Sequence, residues 1–97
     1  MPTYFILETS TREGSTTVRD APRRSQGVVV AAEKMGVKVV EWFYTIGPFD
    51  FLMKAEAPDD ETIAAFVMSI TAGGNVSAKY YRAFTPAEWT ALVGRLP

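Results

Sequence analysis

The sequence predicts an α+β domain built from two strand–helix–strand units. Three observations point there. Short apolar runs with strand character occur near both ends, at residues 4–7 and 75–84. Between them, two segments repeat apolar residues at three- and four-residue steps, the period of a helix face. The middle, residues 37–56, reads VKVVEWFYTIGPFDFLMKAE: a long strand, a tight turn and a second strand. Both alternate residue sets of this hairpin carry apolar side chains. A strand that hides one face alternates apolar with polar, so this hairpin asks for cover on both sides.

Tyr4, Phe5, Ile6 and Leu7 lie between Pro2 and a polar tract, the pattern of a buried strand. Residues 8–17 are rich in Thr, Ser and Gly and read as a loop. Val18, Ala21, Ser25, Val28, Ala32 and Met35 then fall on one helix face. Pro22 either occupies the first helical turn or kinks a helix begun near Thr17. Gly36 is a natural stop. The hairpin turns at Ile46, Gly47, Pro48, Phe49 and Asp50. Asp59 or Asp60 then offers a carboxylate to the free N–H groups of a second helix, at the positive end of its dipole. Ile63, Phe66, Val67 and Ile70 form its apolar face, and Gly73-Gly74 ends it. The next strand places Val76, Ala78, Tyr80 and Arg82 on one side, with Tyr81 and Ala83 on the other. Thr85-Pro86-Ala87-Glu88 is a capping box with proline at the first helical position. It opens a short helix presenting Trp89, Leu92 and Val93.

This order is that of a ferredoxin-like α+β sandwich, an antiparallel sheet of four strands with both long helices on one face. The other face stays bare in a monomer, which matches the two-sided hairpin. No linker, repeat or low-complexity segment divides the chain, so residues 1–97 are expected to form a single domain.

Composition narrows the function. With 47% hydrophobic and 22% charged residues, the chain is of ordinary globular type. It has no Cys and no His, which excludes disulfides, thiol nucleophiles, imidazole bases and Cys/His metal sites. The Asp59-Asp60 pair supplies too few oxygens for a hard cation and reads as helix capping. No metal or cofactor is expected. A net charge of −1 and a pI near 5.3 provide no basic surface for nucleic acid or acidic membranes. No apolar run approaches the ~20 residues of a membrane span. The first residues lack the basic and apolar regions of a signal peptide, so a cytoplasmic location is expected.

Several segments together resemble a known family. They are Pro2-Thr3-Tyr4 with Leu7 and Thr11, then Gly14, Pro22 and Arg24 at the first helix entry. Ala57-Pro58-Asp59-Asp60 and Gly74-Asn75-Val76 flank the second helix, and Arg82-Ala83-Phe84-Thr85 precedes the last. In these residues the chain resembles, over nearly its whole length, the GYD domain proteins, small bacterial and archaeal proteins named for a Gly-Tyr-Asp turn. The signature departs here: the turn is Gly47-Pro48-Phe49-Asp50, so Phe49 replaces the Tyr and a phenol is lost. The resemblance implies a ferredoxin-like fold and pairing of two copies into a dimeric α/β barrel. It implies no particular chemistry.

Six residues are candidates for ligand binding: Tyr4, Trp42, Tyr44, Asp50, Tyr80 and Arg82. The aromatic members can line a cavity with a few polar tips, or pack between subunits, where Trp and Tyr are also enriched. Asp50 either braces the hairpin turn or stands as a carboxylate at a pocket mouth. Arg82 either pairs at an edge strand or grips an anion through two parallel hydrogen bonds. Lys38, Glu41, Lys54 and Glu56 read as cross-strand ion pairs or as edge protection. No catalytic residue is assigned. Two functions compete. One is a homo-oligomeric binding or structural module with room for a small organic ligand. The other is a cofactor-independent enzyme, monooxygenase- or isomerase-like, with its pocket between sheet and partner subunit. An RNA-binding sheet would need the basic stripe that this chain lacks.

Overall fold

A computed structural model describes residues 1–97. The elements are β1 (Thr3–Ser10), α1 (Arg12–Thr16), a 3-10 turn (Val18–Asp20), α2 (Ala21–Lys34), β2 (Lys38–Tyr44), β3 (Phe51–Glu56), α3 (Asp60–Ala72), β4 (Val76–Ala83) and α4 (Pro86–Val93). The four strands form one antiparallel sheet in the order β2-β3-β1-β4. This is the ferredoxin-like arrangement that the element order predicts. The sheet is open, with β2 and β4 as its edges.

Alternation assigns the two faces. Tyr4, Ile6, Phe51, Met53 and Ala55 are buried beneath the helices. Above them α3 inserts Ile63, Phe66, Val67 and Ile70, whereas α2 buries only Ala32. α3 therefore carries most of the helical cover, and α2 stands off the sheet. On the opposite face, Phe5, Leu7, Phe43, Leu52 and Tyr81 have no helix over them. Phe43 and Tyr81 are 53% and 51% exposed.

Local signals explain the helix ends. Asp59 is the N-cap of α3, its carboxylate accepting from Thr62 N at 2.8 Å. Thr85 and Glu88 form the full capping box of α4. Pro22 sits in the first turn of α2, where its missing N–H breaks no bond. Gly36 takes φ +83°, closing α2 in the left-handed region.

Two features depart from the sequence expectation. Residues 8–17 are not a plain loop: β1 runs on to Ser10, and α1 follows. Tertiary bonding orders this polar tract. The Thr11 backbone donates to Asn75 O at 3.0 Å, and its hydroxyl donates to Gly74 O at 2.7 Å. A Cβ on Gly14 would lie 2.0 Å from Asn75 O, so only glycine permits this approach. Gly14→Ala is expected to destabilise the fold by about 1–3 kcal/mol, lowering Tm by at least about 4 °C in thermal unfolding. An unchanged Tm would show that α1 can move off β4 freely. The second departure is a β-bulge at Val40. Val39 pairs Ala55, yet Glu41 pairs Lys54. The extra residue turns Trp42 and Tyr44 to the helix side, the same side as Val39.

α4 stands away from the body. Trp89, Val93 and Leu96 are 59%, 52% and 70% exposed. Its links to the sheet are an ion pair from Arg82 to Glu88 at 3.7 Å and Trp89 against Phe84 at 6.0 Å. The radius of gyration, 14.7 Å, accordingly exceeds the roughly 12.5 Å of a compact chain of this length.

Candidate functional site

A cavity of 740 Å³ opens between α2 and α3 over one end of the sheet. It exists because α2 presents small residues to it, among them Ala21, Ser25, Gly27 and Ala31. α3 adds Phe66 and Ile70 to the opposite wall, and β3 adds Phe51.

Glu8 lines this cavity. The alternation that buries Tyr4 and Ile6 carries Glu8 to the same face, two residues further along β1. Its side chain is 6% exposed, and its Oε2 has no hydrogen-bond partner. Burial pushes the carboxyl up from the usual 4.5 to about 7, because the charged form loses water and gains nothing in return.

Asp50 braces the hairpin against β1. Its Oδ2 accepts from Ser10 N at 2.8 Å, and its own N–H donates to Glu8 O at 2.8 Å. Its carbonyl accepts from Thr45 N at 2.8 Å. The carboxylate borders the cavity with one oxygen already engaged. Tyr44 closes the side next to β2: its hydroxyl donates to Ser25 Oγ at 2.9 Å, and its ring meets Phe51 edge-on at 5.2 Å. Arg24 also lines the cavity. It donates to Thr17 O and Thr17 Oγ1 at 3.0 Å each and to Gly14 O at 3.5 Å, holding α1 to α2.

Tyr4, Tyr80 and Arg82 gather elsewhere. Tyr4 precedes Glu8 on β1 by about 13 Å of strand. Its hydroxyl donates to Asp60 Oδ1 at 2.7 Å, and its ring meets Tyr80 edge-on at 6.3 Å. Burial and the Asp60 carboxylate push the phenol up to about 12. Arg82 lies 4.3 Å from the Phe84 ring centre and 5.9 Å from that of Tyr4, and it pairs with Glu88. It thus joins β4 to α4. Trp42 is 36% exposed on edge strand β2 and lines neither region.

Of the six candidates, the structure brings Tyr44 and Asp50 to the cavity and places Tyr4, Tyr80 and Arg82 in a second cluster. Glu8 was absent from the six, since its polar surroundings in sequence mark a loop. Extending the alternation of Tyr4 and Ile6 by one step would have found it. No cluster of three acidic side chains with metal-binding geometry forms, and no helix is long and apolar enough to cross a membrane.

The fold and the cavity define a small ferredoxin-like domain with a ligand-sized recess under its helices. The GYD domain family model matches residues 4–93, and the chain belongs to that family. A relative from Thermus thermophilus is described as "Glutamine synthetase and cystathionine beta-lyase binding protein". It is 33% identical over 97 residues, covering 99% of each chain. Among solved structures, the crystal structure of FFRP-DM1 matches with a TM-score of 0.63 at 17% identity, over 87% of this chain and 100% of that one. An AsnC family transcriptional regulator from Agrobacterium tumefaciens matches with a TM-score of 0.50 at 22% identity, over 91% of this chain. This chain spans 58% of that regulator's length. At these identities, both likenesses concern the fold alone.

Proposed function

We propose that this GYD domain is a homo-oligomeric binding module of the cytoplasm. Two copies pair through the bare sheet face, and each cavity takes a small organic molecule. The observation that carries the pairing is the uncovered apolar face. The chain exposes 6593 Å², against roughly 5,500 Å² for a compact chain of 10.7 kDa. That excess of about 1,100 Å² is shared among the bare face, the outlying α4 and the open cavity, and it is of the order of the ~800 Å² that each partner buries in a standard interface. The face also carries charge: Lys38 pairs with Glu56 at 3.8 Å at one end, Glu41 stands opposite Lys54, and Lys79 lies beside Leu7, so a partner sheet must match these charges as well as the apolar residues. Face-to-face pairing of two such sheets is the dimeric α/β barrel that the family resemblance implies. Light scattering of the full chain at micromolar concentration is expected to report a dimer or larger. A monomer there refutes the pairing.

The cavity supports the ligand half of the reading. Its volume falls within the ~300–1,000 Å³ of small-molecule sites, and its wall mixes apolar side chains with hydroxyls, Asn75, Arg24 and two carboxylates. The relative's description as a binding protein for two enzymes favours a binding role and makes other proteins a further class of partner. The charge balance supplies no electrostatic attraction for nucleic acid or acidic membranes.

One observation favours the alternative, a cofactor-independent enzyme of isomerase or monooxygenase type. Glu8 is a buried carboxyl held near neutrality in a cavity, as a general acid or base requires.

A further inference from the structure

We propose that the cavity between α2 and α3 selects an organic cation: a molecule with an apolar body and a protonated nitrogen that pairs with the carboxylate of Glu8. This deepens the binding-module reading and rests on its ligand half.

The inference begins with the charged groups of the cavity wall. Glu8, Arg24 and Asp50 all reach it. Two of them are already engaged. Asp50 Oδ2 holds the Ser10 N–H, and Arg24 donates to the carbonyls of Gly14 and Thr17 and to the Thr17 hydroxyl. The Glu8 side chain makes no hydrogen bond: the residue is 6% exposed, and its Oε2 has no partner. A buried polar group without a bond is costly and rare in folded proteins, and a ligand that completes the bond accounts for it.

The sign of the ligand charge follows. With Glu8 ionised, the wall carries two carboxylates against one guanidinium. An ammonium beside Glu8 restores the solvation lost on burial and forms a charge-assisted hydrogen bond. An anion meets two like charges. A neutral donor bonds without offsetting the charge.

A second observation concerns the apolar body. Gly27 lies inside α2, where glycine is about 1 kcal/mol worse than alanine. Nothing lies within 4 Å of where its Cβ would be. No contact in this chain requires that glycine. Gly27 lines the cavity and is exposed, so its bare backbone leaves room there for a flat or chain-like apolar group laid against α2.

The pairing carries a pH signature, since the amine binds the ionised carboxylate and displaces its proton. The other titratable groups on the wall are Arg24 from α2, Asp50 from the hairpin turn and Tyr44 from β2; α3 and β4 add none. With the Glu8 midpoint near 7, amine affinity is expected to rise about tenfold from pH 6 to pH 8.

The test uses probes of one shape and different charge on the full chain: 2-phenylethylamine, 2-phenylethanol and 3-phenylpropionate, followed by NMR titration at pH 6 and pH 8. The amine is expected to bind at least about tenfold more tightly than the other two at pH 8, with the rise above. Glu8→Gln is expected to remove both the preference and the pH dependence. Gly27→Leu fills the recess with a better helix former and is expected to block the amine while the fold persists. Equal binding of all three probes, or a preference that survives Glu8→Gln, overturns the cation selectivity and leaves the ligand site standing. No binding of any probe at millimolar concentration overturns the cation proposal and the ligand half of the proposed function together.

Discussion

Glu8→Gln is expected to raise stability at pH 8 by about 3 kcal/mol and to leave it nearly unchanged at pH 4. The carboxyl of Glu8 titrates near 4.5 when solvated and near 7 in the fold. Below pH 4.5 both states hold the proton, and the folded state bears no charge penalty. Between pH 4.5 and 7 the folded chain binds more protons than the unfolded chain, so stability falls as pH rises. Above pH 7 the buried carboxylate is ionised and the full penalty is present. A glutamine keeps the size and polarity of the protonated acid but cannot ionise, so the two forms differ only where Glu8 is charged. For a chain of 97 residues the difference corresponds to roughly 10–20 °C in Tm at pH 8. Thermal unfolding of both forms at pH 4, 6 and 8, at one protomer concentration, reads it directly. Parallel curves across that range would show that Glu8 is solvated in the folded protein.

Leu52→Asp is expected to break the proposed pairing and leave a monomer. Leu52 lies in the middle of the bare face, paired with Leu7 on β1 and with Phe43 on β2. In a free monomer this side of the sheet faces water, so a carboxylate there leaves the core untouched. Between two sheets the same carboxylate loses its water between Leu7 and Phe43, and the Lys54 ammonium beside it on β3 already faces Glu41. An unpaired buried charge costs about 3–5 kcal/mol, or roughly two to four orders of magnitude in the dissociation constant. Sedimentation or light scattering should therefore show monomers at concentrations where the parent chain is paired, with the circular dichroism of the fold retained. Met68→Asp is the control: Met68 is 69% exposed on α3, on the helix side, and its substitution should leave the assembly intact. An oligomer that survives Leu52→Asp and breaks with Met68→Asp would move the interface to the helices.

The fold was legible because its signals are local. The capping pair Thr85 and Glu88, the cap at Asp59 and the stop at Gly36 each act within about one helical turn. The face that α3 buries is read from its period alone. The short helix α1 was not legible, because its residues are loop-formers held by Asn75 and Gly74, more than sixty positions away. The bulge at Val40 was equally hidden, since it adds a residue to a strand whose two faces are both apolar.

The site divides in the same way. Asp50 falls at a turn by its residue type, and the turn sits beside the cavity because its backbone and side chain bond to β1. Tyr4 and Tyr44 look alike in sequence, yet one reaches Asp60 and the other Ser25.

The amino-acid pattern by itself determined the α+β class, the element order, the apolar sheet face left without helices and the family. Those follow from period, caps and turns, which operate between near neighbours. Only the tertiary structure decided that α2 stands off the sheet, that a cavity opens beneath it and that Glu8 is buried there without a partner. A cavity is the space left after distant elements pack. Its size depends on small side chains on α2 meeting large ones on α3, a long-range balance that no local pattern records.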